Sequence, residues 1–278
     1  MSARSDARAL KTNRLVATFA DLRRRGRKTL LPFLTAGYPS LDATRAILHE
    51  MEARGTRICE LGVPFSDPVA DGPIIQASYT EALAAGITSD KILDTVARYR
   101  REGGAMALLA MVSYSIVYRH GVDSWLRSAR ASGLDGVIIP DLPLNESSSL
   151  QPLAVSQGLC PVLLIAPTTP PDRRLAIARA SRGFIYYVSV AGITGERSAL
   201  PEATIAGVRE LRTHTDTPIC VGFGISSPDM VQTVCQVADG AIVGSAIVHR
   251  ITDSKSLPTD QLAKKVGDFV AELLAPLL

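Results

Sequence analysis

Aromatic residues make up only 5% of this 278-residue chain, tryptophan occurs once, and there are just four cysteines. Cys59, Cys160, Cys220 and Cys235 are scattered, with no C-x-x-C pair, so a disulfide framework is not expected. Three lie in predicted strands and Cys235 in a predicted helix, the pattern of buried free thiols in a reducing compartment. No apolar run is long and charge-free enough to span a membrane. The opening MSARSDARALKTNRL lacks an apolar core and carries Asp6, which argues against a secretory signal or a transit peptide. A cytoplasmic protein is the expectation. The charge imbalance is small, at +3, with one dense basic run, RRRGRK at 23–28. Without interleaved aromatics or a neighbouring motif, that run reads as the C-terminal end of a helix rather than a nucleic-acid contact. There is no H-x-H, no H-E-x-x-H and no nucleophile elbow. The four histidines, His49, His120, His214 and His249, fall on predicted helices or connections, away from predicted strand ends. Metal, thiol and Ser-His mechanisms are therefore not expected, and no cofactor motif is visible.

What the chain does have is apolar bulk. Hydrophobic residues reach 46%, with a mean hydropathy of +0.17, enough for a large core. Near-continuous apolar runs recur as predicted strands: 30–35, 57–62, 106–112, 136–143, 160–167, 184–190, 218–224 and 240–245. Each is followed by a helical pattern, as in 41–54, 75–102 (with a break at Gly86), 121–132, 146–157, 170–180 and 201–213. Ser227 caps a further helix with Pro228 at its first position, and the last helix covers 259–276. Ahead of the first strand, Leu15, Phe19 and Leu22 share one face of an extra helix over 12–25. Eight strand–helix units with short loops describe a closed parallel (β/α)8 barrel of the TIM type, an α/β fold. An open doubly wound sheet fits less well, because no G-x-G-x-x-G follows the first strand. No Gly-, Ser- or Pro-rich linker divides the chain, so 1–278 reads as one domain.

The stretch ICELGVPFSDPVADGPIIQ, 58–76, departs from this pattern. Glu60 stands in a strand where an apolar residue belongs, and a buried carboxylate is costly unless it is used. Burial also tunes it toward proton exchange near neutrality. Asp71 follows on the next loop, so two carboxyl groups can converge. In such barrels the chemistry sits at the C-terminal strand ends. Thr35, Asp141, Thr168, the loop 192–197, Gly222–Ser226 and Gly244-Ser245 also fall there. Gly224, after strand seven, and Gly244 with Ser245, opening a short helix after strand eight, suit a phosphate grip, since glycine lets backbone N–H groups approach oxygens. Tight turns are the alternative for each loop alone. The loop with Gly192 and Gly195 reads equally as a lid or as a plain surface loop. Phe33, Tyr186 and Phe223 can wall an aromatic pocket or simply fill core. Acid/base chemistry by carboxylates on a small phosphorylated substrate is the reaction class that remains.

These residues form a known pattern. CELGVPFSDPVADGP strongly resembles the signature of the tryptophan synthase alpha-chain family, and LPFLTAGYP, IIPDLP, APTTP, VSVAGITG, GFGISSPD and GAIVGSAIV match it in order. The resemblance covers nearly the whole chain and implies the same barrel. It implies a lyase of L-tryptophan biosynthesis that cleaves indole-3-glycerol phosphate by a retro-aldol reaction to indole and D-glyceraldehyde 3-phosphate. Glu60 then matches the acid/base and Asp71 the carboxylate that holds the indole N–H. Phe33, Tyr186 and Phe223 match the substrate pocket, and Gly195, Gly224, Gly244 and Ser245 the phosphate grip. The loop with Asp67 and Pro68 matches a surface that meets a beta chain in an α2β2 tetramer. Pyridoxal phosphate is implied only on that beta chain, and no metal is implied. Two places depart from the family pattern: Ser115-Ile116 stands where Asn-Pro is usual, and Val190-Ala191 where many bacterial members carry Arg-Ser or Arg-Thr. The second is closer to stand-alone plant lyases. A free-standing lyase, or a non-catalytic activator of the beta chain, are thus the alternative readings.

Overall fold

Residues along each strand alternate between two destinations, the barrel interior and the layer under the helices. The computed structural model describes residues 9–68, 71–189, 201–222 and 224–278. The strands are β1 Thr29–Thr35, β2 Ile58–Gly62, β3 Ala107–Met111, β4 Gly136–Ile138, β5 Cys160–Ile165, β6 Ile185–Val188, β7 Ile219–Gly222 and β8 Gly240–Val243. They pair in parallel in chain order, and β8 returns to β1. Leu31, Ile58, Leu109, Ile138, Val162, Cys220 and Ile242 fill the barrel interior. Their neighbours, such as Leu30, Leu61, Leu108, Val137, Val221 and Val243, face outward into the layer under the helices.

Helix α1, Arg14–Arg24, closes the N-terminal end of the barrel. Leu15, Phe19 and Leu22 pack into the interior cluster, with Phe19 5.8 Å from Phe184, ring centre to ring centre. Asn13 caps the helix by accepting from the Leu15 and Val16 N–H groups, while its amide donates to the Asp135 and Gly158 carbonyls. The basic run ends α1 in solvent, as the charge pattern predicts, and Arg24 and Arg25 pair with Asp21.

The remaining helices are α2 Leu41–Ala53, α3 Pro73–Ala84, α4 Ser89–Arg101, α5 Tyr114–Arg119, α6 Val122–Ser132, α7 Leu150–Ser156, α8 Pro171–Ala180, α9 Glu202–Arg212, α10 Pro228–Cys235, α11 Ser245–Ser254 and α12 Thr259–Leu274. Ser40 and Ser227 cap α2 and α10 as expected, and Gly86, at φ +73°, breaks 75–102 into α3 and α4. Most strand ends fall within two residues of expectation, and three features differ by more. β4 ends at Ile138 instead of reaching 143, since Pro140 has no N–H to extend a ladder. Helix α7 starts only at Leu150, because the serine-rich run before it forms turns. The short α5 was not expected at all. Among the described residues, no helix is long and apolar enough to cross a membrane.

One charged hub ties the lower barrel together. The Asp135 carboxylate is fully buried and accepts from Arg100 at 3.0 Å, from Arg14 at 3.2 Å and from the Leu108 N–H at 3.1 Å. Arg130 adds a third guanidinium at 3.6 Å. Asp135 thus links α1, α4 and α6 to β3.

Candidate active site

Glu60 is the middle residue of β2, in register with Phe33 on β1 and Leu109 on β3. The side chain faces the barrel interior and is 0% exposed. Neither carboxyl oxygen has a hydrogen-bond partner among the described residues. With no compensating donor, burial pushes its pKa well above the ordinary carboxylate value. An orphaned carboxyl of this kind has no structural use, and a proton-loaded acid beneath the cavity is what it offers chemically.

Asp71 arrives from the other side. Gly72 caps α3 and Pro73 occupies the first helical position, which fixes where the helix starts and sets Asp71 just ahead of it. The Gln76 side chain donates to the Asp71 carbonyl at 2.7 Å, so the backbone is anchored while the carboxyl is left for the cavity. Burial raises the Asp71 pKa to about 6.

Asp71 lines a cavity of about 610 Å³ at the C-terminal end of the barrel, a size suited to a small-molecule ligand. Phe33, Tyr186, Gly224, Gly244 and Ser245 line it too, so these predicted site residues meet in one place. Glu60 does not line it; its carboxyl is sealed in the layer just beneath, where Phe33 of the neighbouring strand forms the wall. Gly224 has φ +76°, a conformation that a residue with a side chain adopts only under strain. A side chain on Gly244 would enter the cavity between Phe33 and Ile75. Ser245 begins α11, whose free N–H groups face the same space and suit an anion. Gly195 and Phe223 lie outside the described residues, as do the whole 192–197 loop and Val190-Ala191.

Other expected strand-end groups go elsewhere. The Thr35 hydroxyl is buried against Ser78 at 2.6 Å. Thr168 lines a smaller cavity of about 280 Å³, which shares Pro140 and Leu164 with the large one. Asp141 accepts from the Ser113 hydroxyl at 2.7 Å and from the Tyr114 N–H at 2.9 Å, and so holds the start of α5. That contact fixes the first turn of α5, which carries Ser115-Ile116.

The histidine reading needs one correction. His249 is on a helix, as expected, but it is not remote: it lines the cavity one turn beyond Ser245 on the same face of α11. Its Nδ1 lies 3.0 Å from Asp253. Arg250, stacked over Phe269 at 4.7 Å, and the apolar Ile74, Ile75, Met111 and Leu164 were also missed. Helical spacing from Ser245 was the available signal for His249. Among the described residues no group of three His, Cys, Asp or Glu side chains is arranged to hold a metal ion.

Gly62, two residues past Glu60 on the same face of β2, shapes the wall. A Cβ there would stand 2.4 Å from the Phe33 ring and 2.5 Å from the Tyr79 hydroxyl. Gly62→Ala is expected to cost about 1–3 kcal/mol in urea unfolding, the range for overpacking a filled core, and to raise KM by displacing Phe33. An unchanged unfolding midpoint together with an unchanged KM would show that the wall yields freely.

Comparison with known proteins agrees with this geometry. The family model described as tryptophan synthase alpha chain matches residues 19–273. The tryptophan synthase alpha chain of Rhodopirellula baltica is 44% identical over 268 residues, covering 93% of this chain and 96% of that one. Among solved structures, the alpha chain from Legionella pneumophila superposes with a TM-score of 0.86 at 30% identity, covering 95% of this chain and 97% of that one. A chain from the tryptophan synthase α2β2 complex of Pyrococcus furiosus, studied for its mutual activation, reaches 0.82 at 33% identity, covering 90% and 99%.

Proposed function

The chain belongs to the tryptophan synthase alpha-chain family, and from that premise we propose that Glu60 and Asp71 divide the chemistry between them. The reaction is the retro-aldol cleavage of indole-3-glycerol phosphate to indole and D-glyceraldehyde 3-phosphate in L-tryptophan biosynthesis, and the protein is a carbon–carbon lyase. The observation that carries the assignment is the pairing of a buried, unpartnered carboxyl with a second carboxyl on the cavity wall. Glu60, held protonated by burial, donates to the ring carbon that bears the glycerol chain. The ring becomes cationic, and ionised Asp71 accepts a hydrogen bond from its N–H and balances the charge. Glu60, now a carboxylate, takes the proton of the adjacent hydroxyl. The carbon–carbon bond breaks, its electron pair returns to the ring, and an aldehyde forms. Glu60 ends protonated, so the cycle is balanced. Turning toward the cavity is the one movement this asks of its side chain.

Phe33 and Tyr186 wall the indole. Gly224, Gly244 and Ser245, together with Gly195 and Phe223 from outside the described residues, hold the phosphate and close the pocket. The chain needs no cofactor or metal of its own in this reading; pyridoxal phosphate belongs to a beta-chain partner. The similarity to a Pyrococcus furiosus α2β2 chain supports such a partner, and we extend the α2β2 assembly to this protein. A cytoplasmic setting fits its four buried free thiols.

Two results test this. Asp71 must be ionised to do its part, so the rate is expected to rise with pH through about 6, where its pKa lies. Asp71→Asn should lower kcat by roughly ten- to a thousand-fold, as for loss of one preorganised charge partner, and abolish that limb of the pH profile. A limb that persists in Asp71→Asn belongs to another group. For assembly, sedimentation with a purified tryptophan synthase beta chain should give a tetramer, with faster indole formation. A chain that stays free and is unaffected by the beta chain is a stand-alone lyase.

A further inference from the structure

The interior face of β2 carries Ile58, Glu60 and Gly62 in turn. Gly62 has no side chain, and two groups take the space: the tip of the Phe33 ring and the Tyr79 hydroxyl, 2.5 Å from where a Cβ would stand. Tyr79 lies on α3, one turn after Ile75 and two turns after Asp71 and Gly72. Helical side chains lean toward the N-terminus of their helix, so Tyr79 points back along the face that leads to Asp71. It is 3% exposed and packed with Phe33, Ile75 and Val248. A residue needed only to fill this apolar space has no use for a hydroxyl, which is costly to bury without a partner. Just below, both Glu60 oxygens lack a partner among the described residues.

We propose that Tyr79 is a positioning residue whose hydroxyl, bonded to neither carboxyl in the resting protein, donates a hydrogen bond to Glu60 when Glu60 ionises during turnover. The inference rests on the reading of Glu60 and Asp71 as the reacting pair. Burial, then the charge of Asp71, then that of Glu60 keep the phenol protonated, so it remains a donor throughout the working pH range. The same surroundings contain Tyr186 from β6, which feels Glu60 before Asp71, and the thiol of Cys220 from β7. From α11, His249, Arg250 and Asp253 line the cavity, while Lys255 pairs with Glu81 on the outer side of α3. Unlike Tyr186, His249, Arg250 and Asp253, Tyr79 does not line the cavity, so it acts on Glu60 rather than on substrate.

The test is Tyr79→Phe, which keeps the ring and removes the donor. Carboxyl carbon NMR on the free protein follows the titration of Glu60 and Asp71, and steady-state cleavage is measured across pH. The expected result is that Glu60 titrates about one unit higher while Asp71 stays in place, the tenfold change in proton affinity that loss of one donor to a charged oxygen brings. In turnover, kcat is expected to fall about tenfold while KM stays within about twofold, and the limb set by Glu60 moves to higher pH while the Asp71 limb stays in place. Superimposable titrations and an unmoved pH profile would overturn the proposal. If the Glu60 titration shifts but wild-type protein cleaves no indole-3-glycerol phosphate, the role toward Glu60 stands and the reading of the reaction falls.

Discussion

Glu60→Gln is expected to fold, to be more stable than the parent at neutral pH, and to make almost no indole. The stability gain follows from linkage. Burial raises the Glu60 pKa in the folded state above its unfolded value. Between those two values the folded chain holds a proton that the unfolded chain has lost, so stability falls as pH rises through that window. Glutamine carries no charge at any pH and removes the penalty. The advantage of the variant should therefore be absent below the ordinary carboxylate pKa and grow as the pH rises above it. The activity loss has the opposite sign, because the amide can neither donate the ring proton nor accept the hydroxyl proton. A general acid/base is worth roughly a hundred- to ten-thousand-fold. Urea unfolding at pH 4, 6 and 8, with turnover on the same preparations, checks both. A variant that is less stable at pH 8 would mean that Glu60 has structural partners. Near-normal turnover would remove it from the mechanism.

Asp135→Asn is expected to be the most damaging single change for stability, at about 3–5 kcal/mol, the range for stripping one partner from a buried ion pair. The carboxylate is 0% exposed and faces three guanidiniums, of which Arg100 is only 11% exposed. An amide leaves those cations with no counter-charge and can no longer accept from every direction. Burial already lowers the Arg100 pKa, and Asp135 is the leading opposing influence. The hub sits at the N-terminal end of the barrel, opposite the cavity, so kcat per folded molecule should be unchanged. The urea midpoint should drop sharply, and a loss under about 1 kcal/mol would class the cluster with ordinary surface pairs.

Sequence alone conveyed the barrel because each strand is an apolar run and each helix carries its own start and stop residues. Ser40, Ser227 and Gly86 act locally, so their effects could be read locally. Helix α5 was illegible for the opposite reason. It has six residues, too few for an amphipathic stripe, and Asp141, which accepts at its first N–H, lies 27 positions away in the chain. The site was legible at Glu60 because a carboxylate in a strand breaks the apolar pattern. Asp71 was legible only through its loop and the family signature. His249 was passed over because a helix was equated with distance from the strand ends, although it stands one turn from Ser245. Tyr79 was not distinguishable from core: its role depends on the space Gly62 leaves on a different element. Arg250 needed Phe269, from another helix, to hold it at the cavity edge.

The most direct test of the account is a time course of products from the purified chain given indole-3-glycerol phosphate, with and without a tryptophan synthase beta chain. Indole and glyceraldehyde 3-phosphate should appear in equal amounts, slowly from the chain alone and faster with the beta chain. No indole under either condition, from protein that still binds the substrate, would contradict the assignment of this cavity to the cleavage reaction.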